Sequence, residues 1–450
     1  MLVAKLRWNF LNLYPYIDMV MRGYDTHKPM ADLIGVMQQG GAMSVIPNLL
    51  WKSEDGQVQN NDFSYTPETF SCGIDWSDHP PKAETETFPI NEFLSTQNTG
   101  CAYNCGWCGG SREAFRRINK KKRAMIRKPA CEIGYEFDTL SKVPRVNEHH
   151  FYSVGSYNET KKGMEFFVEK VAESNVKSIS YEQFFLTSDD VLQRMAEANK
   201  RTFITISPGS HDLRVAKLSG RGVYSNEEME RWIEKALNYG IHQIDMWYVI
   251  GMPEQDEKSV METVDYCQRL LERFKDKRVN PMLCPMIPFL DPTSTFFEYP
   301  EKHGYRIFYR TVEEHRRGMM RTSLINRINY ETKWLSRNDL VHVGFRAVRE
   351  LMLRKAASGF LPSFIVEDFV TKINDDLSFV DVVHEADCIA DERARIQALE
   401  ELGDEILNRN NRIFSSGVMS QAFPVNRQIG GRWFDEIGWE SDLLETVQDS

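Results

Sequence analysis

The sequence predicts an α/β fold: a partial TIM-like (β/α)6 barrel, preceded by a short N-terminal segment and followed by a helical region. Three observations carry this reading. Between about residues 90 and 300, short β-rich runs alternate with stretches of helical period, the pattern left by parallel strands and crossover helices. Before residue 85, turn-forming residues recur at short intervals, as in Pro47-Asn48, Asp55-Gly56 and Pro80-Pro81, which suits brief elements. Beyond about residue 305 the strand signal fades, and Arg, Glu and Leu take helical spacing. The segments therefore read as 1–88, 89–304 and 305–450.

Composition narrows the class. A chain of 450 residues with 42% hydrophobic and 27% charged residues can bury one large core or two medium ones. Its net charge of −10 argues against a general affinity for nucleic acid or an acidic membrane, so any anion site is local. No apolar run reaches the ~18 residues of a membrane-spanning helix. Lys5 and Arg7 stand where a signal peptide would need its apolar core, so a cytoplasmic protein without a membrane partner is expected.

Taken in order, strands are expected at 93–96, 151–154, 178–181, 202–206, 244–250 and 282–287. The clearest helix starts at Ser225, which can cap it together with Glu228. Its apolar residues Met229, Trp232, Ile233, Ala236 and Leu237 share one face. Another helix aligns Val260, Val264, Cys267 and Leu271, which assigns Cys267 to the core. The C-terminal helices should end in a frayed acidic tail with Glu440, Asp442, Glu445 and Asp449.

The eight cysteines are too few for a disulfide scaffold. Five are scattered, whereas Cys101, Cys105 and Cys108 fall within eight residues of a glycine-rich stretch that follows a candidate strand. Three thiolates on such a loop can wrap one face of an iron–sulfur cube, and the glycines let the backbone come close. Because electron-transfer clusters normally take four cysteines, three ligands suggest an open iron that binds a substrate or cofactor. A zinc site completed by a histidine or by Cys131 is the alternative reading.

Cys-x3-Cys-x2-Cys after the first barrel strand, with the aromatic Trp107 before the last cysteine, resembles the radical S-adenosylmethionine (SAM) superfamily. The resemblance implies a [4Fe-4S] cluster on Cys101, Cys105 and Cys108, with SAM on the open iron and cleaved to a 5′-deoxyadenosyl radical. It puts Trp107 over the cluster or the adenine. The stretch from Ser207 through Gly222 looks like the family segment that contacts SAM, which brings Ser207 and Ser210 near the methionyl carboxylate or ribose. Pro208-Gly209 stands where many relatives have a glutamate, and a plain helix-capping turn is the other reading. Gly251, in Val249-Ile250-Gly251-Met252-Pro253, would let the backbone pass the adenine unless it only turns the chain. Glu182, at a strand end, either meets a polar group in the barrel mouth or is solvated. No catalytic residue is assigned.

Phrases such as 219–224, Phe289-Leu290-Asp291-Pro292 and 329–334 resemble a subgroup that pairs this barrel with a cobalamin-binding domain, whose closing part residues 15–23 resemble. The resemblance implies a radical SAM enzyme related to cobalamin-dependent methyltransferases, acting on a small molecule or natural product. Yet a corrinoid domain needs on the order of 100 residues, about 90 precede the cysteines, and no Asp-x-His-x-x-Gly is present. His27 therefore reads as a surface histidine. The chain is either truncated at its N-terminus or works without a complete corrinoid domain. Two other readings stay open: a cobalamin-independent epimerase, mutase or dehydrogenase, and a partner-binding iron–sulfur or zinc protein. The basic run of Arg112, Arg116, Arg117, Lys120, Lys121, Lys122, Arg123, Arg127 and Lys128 could dock an anionic substrate or an acidic electron donor such as flavodoxin or ferredoxin, or be a solvated face. No RNA-binding pattern accompanies it.

Overall fold

The computed structural model describes residues 11–70, 73–78, 92–119, 124–143, 146, 150–155, 160–198, 200–275, 278–284, 290–361, 363–415, 428–429 and 432–433. Six strands make one parallel sheet in chain order: β1 (Glu92–Thr96), β2 (His150–Val154), β3 (Ser178–Gln183), β4 (Arg201–Gly209), β5 (Gln243–Val249) and β6 (Val279–Cys284). This is the open (β/α)6 order of a partial barrel. The crossover helices are α1 (Ala130–Leu140), α2 (Lys161–Glu173), α3 (Asp189–Glu197), α4 (Asn226–Tyr239) and α5 (Glu257–Arg273).

Alternation along each strand separates two faces. On the outer face, Phe151 lies 5.3 Å ring to ring from Phe137 of α1, and Tyr181 lies 5.9 Å from Phe167 of α2. On the inner face, His150 of β2 is sealed between the hydroxyls of Ser178 and Ser180, at 2.7 and 2.8 Å. Helix α4 begins as the sequence predicts: Ser225 and Glu228 form a reciprocal capping box, and Met229, Trp232, Ile233 and Ala236 are buried. Cys267 is fully buried on α5.

Before the barrel, three short antiparallel strands (Met19–Met21, Leu49–Lys52, Val58–Asn60) and the helix His27–Gln39 pack around Leu33, Ile46 and Leu49. After it, α6 (Arg337–Ala357) and α7 (Ser363–Asp387) lead two further helices, and α6 packs on α5 and β6. The C-terminal region also holds two antiparallel pairs that helical periodicity did not suggest, Tyr305–Ile307 with Tyr330–Thr332 and Gln428–Ile429 with Arg432–Trp433. The predicted acidic tail and residues 285–287 of the last predicted strand lie outside the described residues. Among the described residues no helix is long and apolar enough to cross a membrane.

Candidate metal and cofactor site

The cysteine loop leaves the short strand Asn98–Gly100, just beyond the C-terminal end of β1. Gly100 turns with φ +81°, and a Cβ there would lie 2.6 Å from the Ala124 carbonyl oxygen, so only glycine fits. Segments far away in sequence strap the loop down. The Gly106 amide donates to the Ser219 carbonyl (3.0 Å), the Phe296 amide to the Gly106 carbonyl (2.8 Å) and the Asp291 amide to the Trp107 carbonyl (3.0 Å). The Asp291 carboxylate accepts from the Gly109 amide at 2.8 Å. Gly106 sits so close to the Phe296 ring that a Cβ would lie 2.2 Å from it.

Cys101 and Cys105 are buried and Cys108 is half-buried, beside Tyr103, Trp107 and Phe184. The Tyr103 amide donates to the Cys101 sulfur and the Gly110 amide to the Cys108 sulfur, both at 3.3 Å. Burial pushes the Cys105 thiol up while Arg221 pulls it back, and burial with the neighbouring Cys105 pushes Cys108 up to about 12. At neutral pH these two groups are therefore thiols in the free protein, and a metal that binds them must displace protons.

Arg221 is the cation of the site. Its guanidinium carbon lies 3.9 Å from the Phe184 ring centroid, 5.2 Å from Tyr103 and 5.7 Å from Trp107, and Nη1 donates to the Ser207 carbonyl at 3.2 Å. Burial opposes its charge, but Cys105, Tyr224 and Cys101 together hold its pKa above the ordinary value. A guanidinium beside Cys105 and Cys101 can neutralise the negative charge of thiolates or grip a carboxylate.

The residues singled out from the sequence fall in different places. The structure brings Trp107 and Ser207 to the cysteines through Arg221. Ser210 is buried one turn further on, where its hydroxyl accepts from the Asp212 amide at 3.1 Å. Gly251, at φ +99°, is locked by Gln255 and Tyr305, and a Cβ would lie 2.6 Å from the Tyr330 hydroxyl. Half-buried Glu182 accepts from the Gly155 amide at 3.1 Å. The side chain of His27 is 68% exposed and meets Asp25 at 2.9 Å.

The basic run is smaller than it reads. Lys128 is fully buried, 2.5 Å from Glu136, because Ser95 and the Ile74 amide complete a polar pocket around that pair. Arg117 turns inward to the Thr293 carbonyl, and Lys120 to Arg123 lie outside the described residues. Arg112 and Arg116 stay exposed. Sequence reasoning did not single out Arg221 or Asp291. Arg221 carried a faint signal, as the one charge between Gly220 and Gly222, but the role of Asp291 needs the fold.

Residues 97–267 match the family model described as the Radical SAM superfamily. That segment carries a radical SAM domain. Its match spans β2 to β5 and the cysteine loop. Among solved structures, the chain resembles the cobalamin-dependent S-adenosylmethionine radical enzyme OxsB with aqua-cobalamin bound: TM-score 0.51, 11% identity, covering 100% of this chain and 70% of that one. It also matches the radical S-adenosylmethionine methyltransferase TsrM from Kitasatospora setae, at TM-score 0.47 and 14% identity, covering 66% of this chain. The chain spans 56% of the length of that TsrM structure. The OxsB match shows the fold. No curated protein matches the chain.

Proposed function

We propose that this radical SAM protein is an enzyme that holds a [4Fe-4S] cluster on Cys101, Cys105 and Cys108 and cleaves SAM to act on a small molecule. The observation that carries this is a loop presenting three sulfurs, two of which accept backbone N–H bonds, with Arg221 as the nearby cation. When bound, the cluster and SAM supply one-electron cleavage and a 5′-deoxyadenosyl radical.

The residues of the chain do the rest. Arg221 balances charge at the thiolates, the amides of Tyr103 and Gly110 orient two sulfurs, and Tyr103, Phe184 and Trp107 keep water from that corner. Ser207 lies on the same side and suits the carboxylate or ribose of SAM. Exposed Arg112 and Arg116 suit an acidic electron donor such as flavodoxin or ferredoxin.

Kinship with cobalamin-dependent methyltransferases is the finer reading, but the described N-terminal residues do not fit a corrinoid domain. They form a three-stranded antiparallel sheet rather than a doubly wound parallel one. Anaerobically reconstituted protein should hold about four irons per chain and form 5′-deoxyadenosine from SAM, and Cys105→Ala should abolish both. Stoichiometric zinc without iron would overturn the proposal.

A further inference from the structure

The N-terminal unit reaches the cysteine loop through the side chain of Tyr24, just after the short strand Met19–Met21. The turn that presents it is anchored. Arg22 donates to the carbonyls of Asn48 and Asn61 and lies 5.5 Å from the Phe63 ring centroid, and Gly23 bends the chain with φ +128°. From this base the Tyr24 ring stacks on the buried ring of Phe115, at 4.9 Å and with 28° between the planes. Its hydroxyl donates to the Gly109 carbonyl, 85 residues further along the chain.

That carbonyl shares a peptide unit with the Gly110 amide, which donates to the Cys108 sulfur at 3.3 Å. Hydroxyl, peptide and sulfur thus form one chain of donors and acceptors. A proton donated to a peptide oxygen polarises the whole unit and makes its N–H a stronger donor. The preceding peptide carries the opposite influence. Its Gly109 amide donates to the Asp291 carboxylate at 2.8 Å, which holds a negative charge within electrostatic reach of Cys108. Hydrogen bonds to a ligand sulfur spread its negative charge and favour the reduced form of a cluster, whereas a nearby carboxylate disfavours it.

We propose that Tyr24 is a positioning residue for Cys108: its hydroxyl polarises the Gly109–Gly110 peptide, strengthens the N–H···S bond and raises the reduction potential of the bound cluster. The inference rests on the cluster proposed above and gives the N-terminal unit a part in tuning it. Two substitutions act in opposite directions. Tyr24→Phe removes the donor but keeps the stacked ring, and Asp291→Asn removes the charge but keeps an acceptor for the Gly109 amide.

The test has two readouts. In the full reconstituted chain, redox titration followed by electron paramagnetic resonance should give Tyr24→Phe a reduced-to-oxidised ratio about threefold below the native one at equal potential, about 28 mV for one electron. Asp291→Asn should move the ratio the other way, with iron content equal in all three proteins. In the metal-free chain labelled with 13C-carbonyl, 15N-glycine, a carbonyl-to-amide NMR correlation selects the three Gly-Gly pairs of the sequence, among them Gly109-Gly110. Tyr24→Phe should shift the Gly109 carbonyl carbon and the Gly110 amide proton upfield. An unchanged potential or lost iron in Tyr24→Phe, or shifts of the same sign in both variants, overturns the proposal. A native chain that takes up no iron overturns the function proposed above, and the NMR readout then decides alone: unmoved signals overturn the role of Tyr24 as well, and moved signals keep it as the residue that positions this peptide.

Discussion

Gly220 shows how tightly single residues define the site. Its φ is +82°, and a Cβ would lie 2.1 Å from the Asn104 carbonyl oxygen, inside the cysteine loop. Gly220→Ala must push two backbones apart, so a loss of more than about 3 kcal/mol and a fall in iron content are expected, read by thermal melting and iron assay. Trp107 should behave differently, because its half-buried ring lies 5.7 Å from the Arg221 guanidinium carbon and packs at the edge of the cysteine cluster. Trp107→Ala is expected to keep its iron but bind SAM more weakly, by roughly 1 kcal/mol or about fivefold, on titration. Unchanged SAM affinity would reduce the ring to loop packing. The cysteine loop was legible because three cysteines within eight residues stand out by spacing alone. Arg221 was not, since its partners are aromatic rings from three separate stretches of chain, and Lys128 was misread as surface because its carboxylate partner lies on the next helix.

At the scale of elements, α6 reaches into the base of the barrel. Lys355 is buried there and donates to Asn280 Oδ1 at 2.6 Å, and Asn280 Nδ2 donates to Asp245 Oδ1 at 3.1 Å. Burial drives both charges toward neutrality: Asp245 is raised to about 6 and Lys355 lowered to about 8. The folded state thus holds the Asp245 proton longer than the unfolded chain does, so this group's contribution to stability is present below about pH 4 and is lost as pH rises to about 6. Asp245→Asn should flatten that decline, worth up to about 3 kcal/mol, in urea midpoints measured across the window. An identical pH slope in both proteins would show that Asp245 does not titrate there. The six strands were legible through alternation and β-rich composition. The pair Tyr305–Ile307 and Tyr330–Thr332 was not, because three residues show no period and the pairing is set by contacts across the intervening chain.

For the whole molecule, the contrast lies between the six-stranded partial barrel and an N-terminal unit of another design. The described residues before β1 offer three antiparallel strands of three or four residues beside the helix His27–Gln39, with no parallel sheet to bed a large planar ligand. The chain as given is therefore expected to retain little or no cobalamin through gel filtration, followed by absorbance, while still cleaving SAM. Stoichiometric retention would reverse this and raise the methyltransferase reading.

The straps on the cysteine loop also set a schedule. Gly109 and Asp291, joined by one hydrogen bond, are 182 residues apart. At about 5–20 residues per second, the ribosome needs roughly 10 to 40 s to deliver the second after the first. Until then the three thiols sit on an unbraced turn, open to stray metals and oxidants. The braced shape of the loop thus arises only once most of the barrel has been made, so the proposed cluster would load onto the finished chain rather than the nascent one.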